Sequence, residues 1–181
     1  QVKVFSPTPA NREKFARHFQ NSLGATVTPA ATPGEAVAGA DVVICAARAK
    51  NESPVLHAQW LEPGMTLVSI GSTLPEQREV AADVIGRANL IVADMPDEVA
   101  RDTGDMIAAS KAGFDFTEKL IHLTEVVSGK RAPRASENDI VLYKSVGSAL
   151  QDVVIAEMLL KRALARGLGT RLPVNIAPVA K

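Results

Sequence analysis

The chain has 181 residues, 46% of them hydrophobic, 22% charged and 4% aromatic, a composition typical of one compact folded domain with a substantial core. Twenty lysines and arginines balance twenty aspartates and glutamates, so no net charge draws the chain toward nucleic acid or an anionic membrane. One cysteine excludes an internal disulfide, and three widely separated histidines predict no metal centre. No run approaches the ~20 apolar residues that span a bilayer. These features predict a cytoplasmic protein with no nucleic-acid or membrane partner.

Strands and helices alternate along the first half of the chain. A short apolar strand at 2–5 stops at two prolines, and a helix with apolar residues at i, i+4 and i+8 then runs from Ala10 to a stop at Gly24. Thr32 and Pro33 are typical of a helix start, with the threonine as cap. Further strands are predicted at 25–27, 41–46, 65–70 and 89–93, and a short helix at 83–87. This alternation predicts an α/β fold, a doubly wound and mostly parallel sheet.

The second half of the chain is richer in helical patterns. Residues 94–112 and 116–128 are predicted to be helical, and residues 139–143 form a strand. A long amphipathic helix follows at about 148–166, and an extended tail runs from residue 171 to the end. The continuous apolar run at 41–46 indicates a strand that is buried on both faces.

Ligands of an open parallel sheet bind outside the carboxyl ends of its strands. Three of these ends carry small or hydroxyl residues: Ser6-Pro7-Thr8, Ala46-Ala47-Arg48 and Ile70-Gly71-Ser72-Thr73. Small residues let a flat ligand such as a nicotinamide ring approach the backbone, although they are also ordinary turn residues. The sequence has no G-x-G-x-x-G turn to hold a pyrophosphate, and Gly167-Leu168-Gly169 follows a helix instead of a strand. A dinucleotide domain here would therefore lack its first βα unit.

Several segments together resemble the ornithine cyclodeaminase/mu-crystallin family in the same order and at similar spacing. They are 4–15, 40–43, 60–65, Ile70-Gly71-Ser72 with Pro75 and Arg78-Glu79, and Leu142-Tyr143-Lys144-Ser145-Val146-Gly147. The resemblance implies a Rossmann-type NAD(P)-binding domain at 1–147, incomplete at its N-terminus. It also implies that 148–181 return as a helix and tail toward a substrate and dimerisation domain outside this chain, in a protein that forms a homodimer.

The same resemblance implies which residues form the site. Cofactor contacts fall on Ser6, Thr8, Arg12, Ala47, Ile70, Gly71, Ser72, Thr73, Gln77 and Ser145, and a substrate contact falls on Val146. Ser6 and Thr8, with Arg12 as counter-charge, favour NADP slightly over NAD, because they can donate to a 2′-phosphate. An equal alternative is a helix-entry turn capped by Thr8. For Lys144 and Ser145, the alternative is a surface lysine and a serine that caps the long helix.

The resemblance also limits the set of activities that are expected. In the family's cyclodeaminases an aspartate takes the place of Thr73 and acts as acid and base, a role for which threonine has no suitable pKa. The expected activity is therefore that of an NAD(P)-dependent imine reductase or amino-acid dehydrogenase, with Thr73 orienting the reactants and the main catalytic residues outside this chain. The alternatives are an ornithine cyclodeaminase and a non-catalytic, crystallin-like protein that binds NAD(P) or another small ligand. The 181 residues alone are predicted to be inactive.

Overall fold

The computed structural model describes residues 1–47 and 53–174, which fall into two compact units. The first unit comprises residues 1–146 and the second begins at residue 147. Arg48, at the end of a predicted strand, and residues 175–181 of the predicted tail lie outside the described residues.

Strands and helices alternate through most of the first unit. The strands are β1 (Val2–Val4), β2 (Val27–Pro29), β3 (Val42–Cys45), β4 (Thr66–Ser69), β5 (Leu90–Ala93), β6 (Leu120–His122) and β7 (Val141–Lys144). The helices are α1 (Pro9–Leu23), α2 (Pro33–Val37), α3 (Ala82–Arg87), α4 (Pro96–Asp102), α5 (Gly104–Lys111) and α6 (Leu123–Val127), with one 3-10 turn at Ala58–Trp60. The second unit contains α7 (Ala149–Ala165). These elements confirm the predicted α/β class.

The described strands form two sheets in which every pair is parallel. β1 pairs with β2, and the other five strands are ordered β3-β4-β7-β5-β6. Because parallel strands end on the same side, the loops that follow β3, β4, β7 and β5 share one edge of the larger sheet. That edge is called the carboxyl edge below.

Local sequence signals explain the ends of the early helices. Pro9 occupies the first position of α1, where its missing N–H costs nothing. Gly24 ends the helix in a left-handed conformation (φ 62°), and its N–H donates to the Gln20 carbonyl. Thr32 caps α2 as predicted, since its hydroxyl accepts from the Glu35 N–H at 3.2 Å.

Two of the predicted helices have the wrong extent. The helix predicted at 94–112 is two helices, α4 and α5, because Thr103 between them is extended and its hydroxyl donates to the Val99 carbonyl. The helix predicted at 116–128 contains β6 before the short helix α6. Ile121 of β6 is buried and pairs with β5, so tertiary pairing prevails over the local helical pattern.

The larger hydrophobic core lies on one face of the five-stranded sheet. Residues that alternate along the strands, such as Leu67, Ile91 and Leu142, are fully buried there together with residues of α3 and α5. The other face has a smaller cluster that includes Val92, Ile121 and Val141. The larger core therefore includes the face that ends at Ser69 and Lys144.

The prediction that β3 is buried on both faces is wrong. Val42 and Ile44 are 55% and 66% exposed, whereas Cys45 is buried. Val42 and Ile44 lie on one face of β3 and Val43 and Cys45 on the other, so the described residues cover the Cys45 face and leave the opposite face largely exposed.

In the second unit, α7 is a regular helix of 17 residues with no buried residue. Ser148 caps its N-terminus, where the hydroxyl accepts from the Gln151 N–H. Apolar side chains lie on the exposed helix, among them Leu150, Val153, Met158, Leu159 and Leu164.

Candidate active site

One row of residues crosses the sheet in the last layer before the carboxyl edge. The strand register places Cys45 beside Ser69, Ser69 beside Lys144, and Lys144 beside Ala93. Neighbouring residues in register point to the same face, so these side chains all enter the larger core. The small side chains of Ser69 and Ala93 on either side give the long side chain of Lys144 room in the core.

Lys144 is fully buried, and three oxygens surround its ammonium group. Nζ lies 2.8 Å from Asp105 Oδ2, 2.7 Å from the Ser72 carbonyl and 3.1 Å from Ser69 Oγ. Asp105 is also fully buried, at the start of α5. An ammonium group is tolerated in a core when a carboxylate and further acceptors replace its water. The alternative of a surface lysine is therefore wrong.

Glu79 is a second fully buried acid in this cluster. Its Oε1 accepts from the Ala47 N–H at 2.7 Å, and its Oε2 accepts from the Gly71 N–H at 3.0 Å and from Ser69 Oγ at 2.8 Å. Its own backbone N–H donates to Asp105 Oδ1 at 2.7 Å. Glu79 thus connects the loops that follow β3 and β4, and Asp105 holds its backbone. Glu79, Asp105, Lys144 and Ser69 are called the buried polar cluster below.

The loop after β4 is also held from within. Ser72 is almost fully buried, and its hydroxyl donates to the Gln77 carbonyl at 2.6 Å. The Gln77 side-chain oxygen accepts from the Thr73 N–H at 3.1 Å. Behind this loop lies Gly104, where an added Cβ would stand 2.1 Å from the Gln77 carbonyl oxygen. The hydrogen bonds of the Ser72 hydroxyl and the Gln77 side chain therefore fix the shape of the loop after β4.

A third carboxylate lies at the end of β5. Asp94 is buried, and its Oδ2 accepts from Ser145 Oγ at 2.6 Å. Its Oδ1 accepts from the backbone N–H groups of Met95 (2.9 Å) and Val146 (3.2 Å). Asp94 therefore fixes the segment that leaves β7. The serine that caps α7 is Ser148, so the alternative that Ser145 is this cap is wrong.

The ends of β1 and β2 are built differently. Arg12 of α1 donates from Nη1 to the Ser6 carbonyl at 3.2 Å and to the Ala31 carbonyl at 3.3 Å. Its guanidinium carbon lies 5.8 Å from the centre of the Phe5 ring. Thr8 is exposed and occupies the cap position of α1, which agrees with the helix-entry turn considered from the sequence, although its side chain makes no capping hydrogen bond. Arg12 thus joins the two strand ends.

The candidate residues consequently form two groups. Ala47, Ile70, Gly71, Ser72, Thr73, Gln77, Ser145 and Val146 lie in the loops after β3, β4 and β7, whereas Ser6, Thr8 and Arg12 follow β1. Sequence reasoning assigned no role to Asp94 or Asp105 and quoted Glu79 only as part of a motif. The sequence carries only a weak signal for Glu79, which directly precedes the apolar residues Val80-Ala81-Ala82 but also follows the charged Arg78.

Cys45 lies at the β3 end of the row that crosses the sheet. Burial, and next the negative charges of Glu79 and Asp105, raise the pKa of its thiol to about 12. Lys144 acts in the opposite direction with a smaller effect. The thiol is protonated near neutral pH, so Cys45 packs as a small apolar residue.

Residues 1–47 and 53–174 contain neither a metal-binding cluster nor a membrane-spanning helix. Within these ranges, no group of three or more histidine, cysteine, aspartate or glutamate side chains is arranged to hold a metal ion. No helix in the same ranges is both long and apolar enough to cross a bilayer.

A comparison with known protein families matches residues 1–167 to the ornithine cyclodeaminase/mu-crystallin family. This chain belongs to that family, which confirms the resemblance found in the sequence. A Delta(1)-pyrroline-2-carboxylate reductase of Bacillus cereus is 30% identical over 174 residues, which cover 95% of this chain and 52% of that protein. The chain thus spans about half the length of the curated relatives that it matches.

Solved structures show the same relationship. The Delta(1)-pyrroline-2-carboxylate reductase of Thermococcus litoralis, determined with NADH and L-proline, superposes with a TM-score of 0.87 at 29% identity. The match covers 94% of this chain and 52% of that one. A probable ornithine cyclodeaminase from Bordetella pertussis matches at 30% identity with a TM-score of 0.79, covering 94% and 54% of the two chains. The fold is therefore Rossmann-like, as predicted.

The carboxyl edge fits one end of a dinucleotide. After β3 the exposed residues Ala46 and Ala47 have no side chain beyond Cβ, and after β4 the backbone passes through Gly71. Such a surface accepts a flat ring at close range. The 181 residues contain no glycine-rich turn between a strand and a helix to receive a pyrophosphate. The residues present therefore fit the nicotinamide and ribose ends, and not the pyrophosphate.

Proposed function

We propose that this chain is the dinucleotide-binding part of an NAD(P)-dependent oxidoreductase that acts on C=N or CH–NH bonds of small imino or amino acids. The observation that carries this proposal is the link between the ends of β3 and β4. Glu79 holds both Ala47 and Gly71 through their backbone N–H groups, at 2.7 and 3.0 Å. The two loops thus form one surface of small residues at the edge where such sheets bind nucleotides.

When bound, the reduced dinucleotide supplies a hydride to the carbon of an iminium bond. In this proposal the residues of this chain orient the reactants and transfer no proton. Ser145, held by Asp94, would contact the nicotinamide carboxamide, and Val146 would lie at the edge of the substrate. Thr73, held through its backbone by Gln77, would orient the reactants as a neutral hydroxyl group.

The ends of β1 and β2 would receive the adenosine ribose. Ser6 and Thr8 have no carboxylate to repel a 2′-phosphate, and Arg12 lies beside them with its positive charge. We therefore propose a slight preference for NADP over NAD. A further cofactor contact would come from the exposed Ile70 in the loop after β4, whereas the almost fully buried Ser72 would support that loop from within.

We further propose that this portion belongs to a longer cytoplasmic protein, with residues 1–147 binding the dinucleotide. Residues 148–181 would return toward a substrate and dimerisation domain outside this chain. The uncovered apolar side chains of α7 support this part of the proposal, since a helix with such a surface is stabilised by a covering partner. The longer protein would be a homodimer, and its other part would supply the pyrophosphate turn and the cations that bind the substrate carboxylate.

The test uses the product of the entire open reading frame that encodes these residues. Oxidation of NADPH or NADH is followed with a cyclic ketimine carboxylate, and separately with pyruvate plus a primary amine. We expect turnover that depends on the imine. The 181-residue chain alone should bind dinucleotide weakly and show no turnover, and tight stoichiometric binding by this chain would contradict the absence of the pyrophosphate site.

The Bordetella match favours ornithine cyclodeamination as a second candidate. Thr73 argues against it, because a threonine hydroxyl cannot replace the carboxyl group of an aspartate as general acid and base near neutral pH. Release of ammonia from ornithine without a need for added imine would establish this second candidate. Dinucleotide binding without turnover across a panel of imines would instead indicate a binding protein.

A further inference from the structure

Glu79 has no part in the chemistry proposed above, although it is the most connected acid of the buried polar cluster. Its carboxylate accepts three hydrogen bonds, and its backbone N–H donates a fourth to Asp105. Two of its partners are backbone groups of different strand-end loops. A side chain placed in this way has a fixed reach, and its length sets how far apart the two loops lie.

We propose that Glu79 is a positioning residue that sets the spacing between the loops after β3 and β4, and thereby the placement of the nicotinamide ring for hydride transfer. This inference rests on the proposed function. Glu79 acts through Ala47 and Gly71, and touches neither cofactor nor substrate.

Both carboxylate oxygens are needed for this role. Oε1 has the Ala47 N–H as its partner, and Oε2 has the Gly71 N–H and the Ser69 hydroxyl. All of these groups donate, so any change that puts a donor on one oxygen position loses one of the loops. The fit is close, because a Cβ added at Gly71 would stand 2.2 Å from Oε1. Only glycine at this position lets the carboxylate lie against the loop backbone.

The rest of the cluster fixes Glu79 itself. Asp105 Oδ1 accepts from the N–H groups of Glu79 and Val80 at 2.7 and 3.1 Å, which anchors the backbone from which the side chain extends. Lys144 pairs with the other oxygen of Asp105 and also reaches the Ser72 carbonyl, so it ties α5, β7 and the loop after β4 together. The positions of Ala47 and Gly71 therefore follow from side chains that are all buried.

Two substitutions separate the reach of Glu79 from its charge. Glu79→Gln keeps the length but replaces one oxygen by an amide group that donates. Glu79→Asp keeps the charge but is one methylene shorter. If charge alone matters, Glu79→Asp behaves like the parent. If the spacing set by two acceptor oxygens matters, both variants are impaired. Glu79→Asp is too short to reach both loops, and Glu79→Gln has a donor in place of one acceptor.

The first readout is independent of activity. Hydrogen exchange of backbone amides, measured by NMR on the 181-residue chain, should accelerate about tenfold or more at Ala47 or Gly71 in both variants, the change expected when a hydrogen bond to a charged group is lost. Amides inside the strands, such as that of Leu142, should keep their protection. If Glu79→Gln does not fold, Ser69→Ala serves instead, since it removes one hydroxyl and no charge. It should give a smaller acceleration at Gly71.

The second readout is kinetic and uses the product of the entire open reading frame. In both Glu79 variants kcat should fall about 10- to 100-fold, with the KM for dinucleotide changed less than about threefold, because ring placement is altered and the remaining cofactor contacts are not. The kinetic isotope effect with 4-deuterated NADPH should increase, since hydride transfer becomes the slower step. A variant that only unfolds more easily shows no such increase.

Glu62→Gln is the matched control, because Glu62 Oε1 also accepts a backbone N–H, that of Gly39 at 2.9 Å, but at the opposite edge of the sheet. It should keep the parental kcat and isotope effect. Parental kcat and amide protection in both Glu79 variants, or full rescue by Glu79→Asp, overturn the inference and leave the proposed function intact. A parent that turns over no imine contradicts the proposed function, and the amide exchange still decides whether Glu79 sets the loops.

Discussion

The strand ends of the first unit form two regions that are built differently. At the ends of β3, β4 and β7, fully buried charges hold the loop backbones from beneath. At the ends of β1 and β2, the partly buried Arg12 side chain joins two carbonyl groups, and Thr8 is exposed. The first, called the fixed region below, is held by fully buried side chains, whereas the second, called the open region below, is held by one partly buried side chain. The proposed hydride transfer requires loops that hold their positions, and the proposed choice between nucleotides depends on side chains that are accessible at the ends of β1 and β2.

Removal of the buried cation should have the largest effect. Lys144→Met leaves Asp105 and Glu79 in the core without a compensating charge, and the chain should lose about 3–5 kcal/mol of unfolding free energy. Urea unfolding measures this loss. Lys161→Met is the control, because Lys161 pairs with Glu157 at 2.7 Å on the surface, with both side chains more than 60% exposed. It should change stability by less than about 1 kcal/mol. Similar losses in the two variants would contradict the distinction between the fixed region and the surface.

Gly104→Ala tests the packing behind the loop after β4. Its Cβ would lie 2.1 and 2.5 Å from the carbonyl oxygens of Gln77 and Pro75, which are backbone atoms and cannot swing aside. We expect a loss of about 1–3 kcal/mol in urea unfolding. Gly86→Ala is the matched control in another helix, since its nearest neighbour is the ring of Phe114, which can rotate away. Equal losses would indicate that the backbone contacts yield as easily as a side chain.

The sequence predicts much of this fold and less of the site. The apolar runs and the caps at Thr32 and Gly24 depend on neighbouring residues, so they predict most strands and the ends of the first helices. β6 was missed because its pairing with β5 is a long-range contact. The exposed face of β3 was missed because an apolar run has the same pattern whether or not another layer covers it.

The buried polar cluster was even harder to predict from the sequence than the fold. Lys144 and Asp105 are 39 positions apart in the sequence, and no local spacing indicates that they form an ion pair. Glu79 and Arg78 stand together in the sequence, yet Glu79 is fully buried and Arg78 is not. The family resemblance assigned cofactor contacts to Ala47, Gly71 and Ser145, and these residues all lie at the carboxyl edge, but the residues that hold their loops are visible only in three dimensions.

Cys45 gives a pH-dependent test of the fixed region. Its pKa is raised from 9.0 to about 12 in the folded chain, so the folded state keeps the thiol proton where the unfolded state loses it. The contribution is complete below pH 9 and is lost as the pH rises from 9 toward 12. Between about pH 8 and about pH 10.5, the parent should lose about 2 kcal/mol more than Cys45→Ala in urea unfolding. Equal losses would mean that the thiol is not shielded.

Arg12 tests the open region, where the expected effects are smallest. Arg12→Ala removes the hydrogen bonds to the Ser6 and Ala31 carbonyls and should cost about 1 kcal/mol in urea unfolding. In the product of the entire reading frame it should weaken NADPH binding about tenfold relative to NADH, because a 2′-phosphate loses its counter-charge.

The control for Arg12 lies on the same helix. Arg17 pairs with Glu13 at 3.9 Å on the surface and lies away from the strand ends, so Arg17→Ala should leave both stability and dinucleotide preference unchanged within error. Competition binding with the two dinucleotides measures the preference directly. If Arg12→Ala weakens NADH and NADPH equally, the guanidinium contributes only to the junction of β1 and β2. The ends of β1 and β2 would then only support the fold, as the fixed region does, and would not select between NAD and NADP.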